Sequence, residues 1–421
     1  MKTDFEFLKD SLLQRFIQYV KMYTQTDSSV ADSGTIPSTL QQWDLAKYLQ
    51  NELISFNLQD VKITENCYVY AYLPSNIDDC SENVCFLAHM DTVEEVSGKN
   101  VNPQIFESYS GDDISLKNDV ILSCKNDKYL KEAAENKETI ITTEGTTLLG
   151  GDDKAGIAAI MTMLEYFYKN PELPHIGIEV IFSPDEETGH GMDKVPLELL
   201  KSKFAYTVDG GHIGEMESEC FNAFCASITF YGKSTHTGNA RENKMINAIL
   251  MASNFIQNLP HTMLPETTDN YQGFIAPLQM DGTIEEAHVY LLLRSFSMDE
   301  IETQKNIINS NAHLISNSFN SKVQVEFNQQ YLNMKETLDK NPQVLKKLKN
   351  AYKNANVTPI EKPIRGGTDG SRLTEMGIPT PNIFTGGHNF HSKQEWVSLN
   401  QMLKSTEVLI NIAKKIIYSD F

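Results

Sequence analysis

The sequence predicts an α/β protein in which a mixed, mainly parallel sheet is flanked by helices and interrupted by an inserted α+β domain, two helices on an antiparallel sheet. Three observations predict it. Short apolar strands and amphipathic helices follow one another in the order of an α/β unit, the pattern changes style between about residues 219 and 330, and the last segment returns to the first style. For 421 residues, at about 100 to 200 residues per domain, two compact domains are expected. Their boundaries read as 1–218 with 331–421, and 219–330.

Taken in order, FEFLKDSLLQRFIQYVKMY and TLQQWDLAKYLQNELISF carry apolar residues at helical spacing. The runs VKIT, CYVYAYL and NVCFLAHMDT are β-rich, and the last turns polar after an apolar stretch. AGIAAIMTMLEYFYKN predicts a helix, IGIEVIFS a strand that runs into PDEETGHG, and KFAYTVDGG another strand. The middle block reads strand (AFCASITFYG), helix (NKMINAILMASNFIQNL), strand (AHVYLLLRSF), helix (DEIETQKNIINSNAHLISNSF), strand (KVQVEFNQ). A helix near NPQVLKKLKNAYKNA, a strand near PTPNIF and a helix over VSLNQMLKSTEVLINIAKKIIY close the chain.

A formal net charge of −20, spread along the chain, predicts a solvated surface and argues against nucleic acid, whose binding draws on clustered Lys and Arg. The opening MKTDFEFLKD is too charged for a secretory signal, and no window approaches the roughly 20 apolar residues of a membrane span. Six cysteines without a CxxC pair suit reduced thiols and a cytoplasmic location.

Clusters of Asp, Glu and His lie just past the C-terminal ends of predicted strands, where open α/β sheets place their ligands. In His89-Met90-Asp91 the first and third residues share one side of an extended chain, so His89 suits a metal ligand and Asp91 its support; alone, HxD is no more than a surface turn. Asp152, in the Gly-rich turn GGDDKAG, has two oxygens with which to bridge two cations, although N-capping explains such a turn equally well. Asp185-Glu186-Glu187 resists burial unless cations or donors compensate, and one of the two glutamates can bind metal while the other faces a water. Asp209 ends another strand, and the pair His388 and His391 comes late; either histidine alone reads as structural. Together these clusters offer the nitrogen and oxygen donors that a zinc pair prefers.

These motifs resemble the peptidase T branch of the dizinc exopeptidase superfamily over nearly the whole chain: AHMDT with SGKNVNPQI, ITTEGTTLLGGDDKAGIA, PDEETGHGMD, YTVDGG, PIRGGTDGSRL and TGGHNFHSKQEW. The resemblance implies two Zn²⁺ per subunit, one held by His89 and Asp209, the other by Glu187 and His391, with Asp152 between them. It implies that Asp91 orients His89, that Glu186 is the general base, that His236 of STHTG reaches the reacting carbonyl, and that Arg294 and Arg365 hold substrate. The implied activity is removal of the N-terminal residue from small peptides, tripeptides first, by a catalytic domain with an inserted lid, in an enzyme able to form a homodimer. Ala88 and Val93-Glu94-Glu95 depart from the usual pattern at the pocket rim and bear on substrate preference. A dizinc carboxypeptidase or N-acyl amino-acid deacylase would use the same metal set. A binding protein that had lost catalysis would lack Glu186, which is present.

Overall fold

The computed structural model describes residues 5–415. They form two compact units: one runs through Ser218 and resumes over Glu336–Lys362 and from Thr368, and the other comprises Glu219–Lys335 with Pro363–Gly367. The second unit thus runs past residue 330 and takes in the short segment that carries Arg365, a return that no change of sequence style marks.

The first unit is built on an eight-stranded sheet in the order Gln59–Ile63, Val69–Leu73, Gly177–Ser183, Asn83–His89, Ala205–Gly210, Asn382–Phe384, Glu215–Glu217, Ile360–Glu361. The four central strands are parallel, and each end of that block pairs antiparallel with its outer neighbour, Val69–Leu73 on one side and Glu215–Glu217 on the other. Asn83–His89 and Gly177–Ser183 are buried along almost their whole length. That burial on both faces is why they read as apolar runs and not as an alternation. The charged exception, Glu179, is satisfied by Tyr70 Oη at 2.7 Å and by the N–H groups of Lys201 and Ser202 at 2.8 and 2.7 Å. Register pairs His89 with Ser183 and Leu87 with Thr207, so the clusters that follow these strands emerge at one edge of the sheet.

The helix Gly151–Lys169 packs against the Asn83–His89 strand and against helices Lys9–Val20 and Leu399–Ala413. It is buried on nearly every side, which explains its all-round apolar sequence. Gly156 permits the close approach: a Cβ there would lie 1.9 Å from the carbonyl oxygen of Val208. A second, antiparallel sheet in this unit joins Gly387–His388, Trp396–Ser398, Ile140–Thr142 and Gln104–Phe106. Its strands are two or three residues long, too short to show a period in the sequence.

The second unit is a four-stranded antiparallel sheet in the order Phe274–Gly282, Glu286–Ser295, Asn222–Tyr231, Val323–Tyr331. Helices Ala248–Gln257 and Met298–Phe319 cover it through a core that includes Phe230, Phe255, Leu291 and Ile308. Its Phe274–Gly282 strand is absent from the sequence reading. Pro277 and a bulge interrupt its pairing, and its far half is exposed, as an edge strand tolerates. The first helix starts at Ala248, later than NKMINAIL suggests, because Lys233 and Ile246 pair as a bridge and the Asn247 side chain caps the Ile249 N–H.

Gly156→Ala should destabilise the protein by about 1–3 kcal/mol or more, because the new methyl group meets the backbone carbonyl of Val208 first and the Asp153 carboxylate next. A lower urea midpoint checks this, and an unchanged midpoint contradicts the close approach.

Candidate metal centre

The site begins where the central strands end. His89 is the last residue of its strand, Asp91 lies two residues beyond, Asp209 belongs to the end of Ala205–Gly210, and Glu186 and Glu187 open the turn after Ser183. Asp91 is fully buried and ties two of these motifs together: its oxygens accept the N–H groups of Glu186 and Glu187, each at 3.1 Å. The same carboxylate lies 3.4 Å from His89 Nδ1, longer than a well-formed hydrogen bond.

Asp152 sits between two imidazoles and gives one oxygen to each. Its Oδ1 is 2.8 Å from His89 Nε2, and its Oδ2 is 3.2 Å from His391 Nε2. On the first side Asp209 Oδ1 lies 3.7 Å from His89 Nε2; on the second, Glu187 Oε2 lies 3.1 Å from His391 Nε2. Glu186 Oε2 is 4.0 Å from His89 Nε2. His89 is buried, whereas His391 is 47 % exposed and opens the group to solvent.

Crowding of like charge shifts these groups strongly. Burial pushes Glu187 up to about 8, with the Asp152 charge adding to it. Burial likewise raises Asp209 to about 6, again with Asp152 beside it, and raises Glu186 well above the usual carboxylate range. Burial opposes the charge on His391, yet its bonds to Asp152 and Glu187 raise it to about 11; His89 rises well above its ordinary value in the same way. Asp152 alone goes down: burial is outweighed by its bonds from the two histidines. Protons therefore stand where compensating positive charge is required. Glu187 Oε1 and His89 Nδ1 are buried without a hydrogen-bond partner.

Among the described residues, two sets of donor atoms each lie within 4.8 Å: His89 with Asp152 and Glu187, and His89 with Asp153 and Asp209. These nitrogen and oxygen donors suit a divalent metal. Asp153 is better read as a support, since it is fully buried and both its oxygens are taken, by the His89 N–H at 3.2 Å and the Gly156 N–H at 3.1 Å.

Of the residues singled out in the sequence, His89, Asp91, Asp152, Glu186, Glu187, Asp209 and His391 come together. His388 turns into the interior, stacked on Trp396 at 4.0 Å, and burial pushes it down to about 3. The other three belong to the second unit. His236 is exposed and accepts the Gly238 N–H. Arg294 is buried and bonded to the carbonyls of Phe224 and Leu293, each at 3.0 Å. Arg365 grips the carbonyls of Asn270 and Gln272 at 2.7 and 2.8 Å and lies over Phe221 and Phe274.

Three supports carry no role in the sequence reading. Asp185 is buried and bonded to Ser38 and Gln42, so the acidic triplet resolves into one structural carboxylate and two at the site. The side-chain oxygen of Asn382 accepts the Asp209 N–H at 3.0 Å. Glu395 accepts backbone N–H groups of the Asp152 turn. Only burial would have distinguished these from ordinary polar residues.

Residues 143–415 match the family model for peptidase family M20/M25/M40. The chain is also 45% identical over 411 residues to peptidase T of Geobacillus thermodenitrificans (strain NG80-2), covering 97% of this chain and 98% of that one. The chain belongs to peptidase family M20/M25/M40. This M20 peptidase is a peptide hydrolase of the peptidase T branch. Its fold is that of aminopeptidase PepT from Bacillus cereus ATCC 10987, with a TM-score of 0.73 at 21% identity over 96% of this chain and 98% of that one. It is also that of a tripeptidase from Staphylococcus aureus subsp. aureus mu50, with a TM-score of 0.75 at 22% identity over the same shares.

Metal uptake by the M20 site should release protons. In the metal-free chain His391 stays protonated up to about 11, and Glu187 stays protonated below about 8. His89 is raised in the same direction. To ligate a cation these groups would have to give up their protons, so affinity is expected to strengthen as pH rises toward and through about 8. Zinc titration in buffers of different ionisation enthalpy checks this, and a pH-independent affinity contradicts it.

Proposed function

We propose that the chain is a dizinc tripeptide aminopeptidase that removes the N-terminal residue from small peptides. The observation that carries the reading is the Asp152 carboxylate, with one oxygen directed to His89 and the other to His391. In this reading His89 and Asp209 hold one Zn²⁺, Glu187 and His391 hold the other, and Asp152 is common to both. Zinc bound there supplies Lewis acidity toward the scissile carbonyl and acidifies water.

Glu186 is the general base in this reading. Its Oε2 takes the proton of the attacking water and passes it to the leaving amine, while the Asp91 bond to its N–H fixes the turn that presents it. Asp91 also faces the far nitrogen of His89, the place of a group that orients a metal-binding imidazole. His236 is proposed as the donor to the developing oxyanion, and Arg294 and Arg365, by resemblance, as arginines that hold substrate. The carboxylate-rich site suits the free amino group of a peptide. Six free cysteines support a cytoplasmic location. The resemblance to the peptidase T branch supports the homodimer and the preference for tripeptides.

Glu186→Gln should leave zinc content unchanged and lower kcat by about 10²–10⁴-fold or more; normal turnover in that variant overturns the general-base assignment. Release of N-terminal residues from di-, tri- and tetrapeptides tests the substrate class. Tripeptides should be cut fastest, a chelator should abolish cleavage and added zinc restore it. Equal cleavage of N-terminally blocked peptides contradicts an aminopeptidase.

A further inference from the structure

We propose that Glu395 is a positioning residue for the metal centre, clamping the turn before the Gly151–Lys169 helix so that Asp152 faces both histidines. Its Oε2 accepts the N–H groups of Leu149 and Gly150, each at 2.8 Å, and its Oε1 accepts the N–H of Asp152 at 3.1 Å. The residue is 1% exposed, and three backbone donors of the turn, two of them buried, converge on its one carboxylate. A charged acceptor of this kind is costly to remove, because the donors lose their partner while remaining out of water.

The clamp is itself anchored. Thr142 Oγ1 donates to the Glu395 carbonyl at 2.7 Å, and the adjoining Trp396–Ser398 strand pairs with Ile140–Thr142, the strand that leads into the Asp152 turn. Gly151 makes room for it: a Cβ there would lie 3.0 Å from Glu395 Oε1 and 2.5 Å from Val397 Cγ2. His391 lies on the same stretch of chain as Glu395 and meets Asp152 Oδ2. One segment therefore supplies a side-chain partner of Asp152 and also holds the backbone that presents Asp152. Glu395 spends both oxygens on backbone N–H groups, and it acts through the turn.

The proposal rests on the reading of Asp152 as the carboxylate common to both metals, and the test separates the two. Glutamine at this position offers one acceptor oxygen, so Glu395→Gln cannot serve Leu149, Gly150 and Asp152 together, yet it keeps size and shape. Zinc titration into full-length metal-free protein is compared for wild type, Glu395→Gln, Glu395→Ala and Asp152→Asn, with circular dichroism and melting in chelator as the folding control. Glu395→Ala should bind zinc about 10- to 100-fold more weakly and Glu395→Gln less so, the range seen for groups that hold ligands. At saturating zinc, kcat should fall while KM for a tripeptide stays within about twofold. Wild-type zinc affinity and kcat in Glu395→Gln overturn the clamp, and this variant decides the matter if the alanine variant does not fold. Wild-type zinc affinity in Asp152→Asn overturns the reading of Asp152 itself, and the clamp with it.

Discussion

The first unit is organised around a concentration of like charge that the protein cannot neutralise by itself. Asp91, Asp152, Glu186, Glu187 and Asp209 crowd against two imidazoles at the ends of buried strands. Desolvation makes charge expensive here, so it raises Glu186 well above the usual carboxylate range, Glu187 to about 8 and Asp209 to about 6. Asp152 escapes this because it sits between both histidines. A site that gathers protons where positive charge is missing is one that exchanges them for cations.

The fold holds the charges in place through backbone bonds. Asp91 accepts from the turn that carries the two glutamates, Asp153 from the end of the His89 strand, and the Asn382 side chain from Asp209. Close approaches at Gly151 and Gly156 allow the helix bearing Asp152 to lie against its neighbours. Supports of this kind distinguish a preorganised centre from a chance acidic patch, since the backbone of the site residues is fixed by buried side chains bonded to it.

Much of this was legible in the sequence, and for physical reasons. Strands buried on both faces must be apolar throughout, so NVCFLAH and IGIEVIFS announce themselves, and the polar residues that break off each run mark the edge where ligands gather. The choice between His388 and His391 was not settled by residue type. It is settled by backbone path, which turns one imidazole onto Trp396 and the other toward Asp152 and Glu187. Glu395 stayed silent, and Asp185 could not be separated from the two glutamates beside it, because a carboxylate satisfied by distant partners, here the Leu149–Asp152 turn and Ser38, leaves no local sign of that role. The short strands around Trp396 and the edge strand with Pro277 fall below the length or regularity that a period needs.

In the proposed site, Asp152 is shared by two cations. A crystal of the zinc-loaded protein, with anomalous diffraction recorded across the zinc edge, tests it most directly. Two zinc peaks are expected in each chain, one bonded to each oxygen of Asp152, with His89 and Asp209 on one and Glu187 and His391 on the other. A single peak, or two peaks of which either fails to touch Asp152, contradicts it.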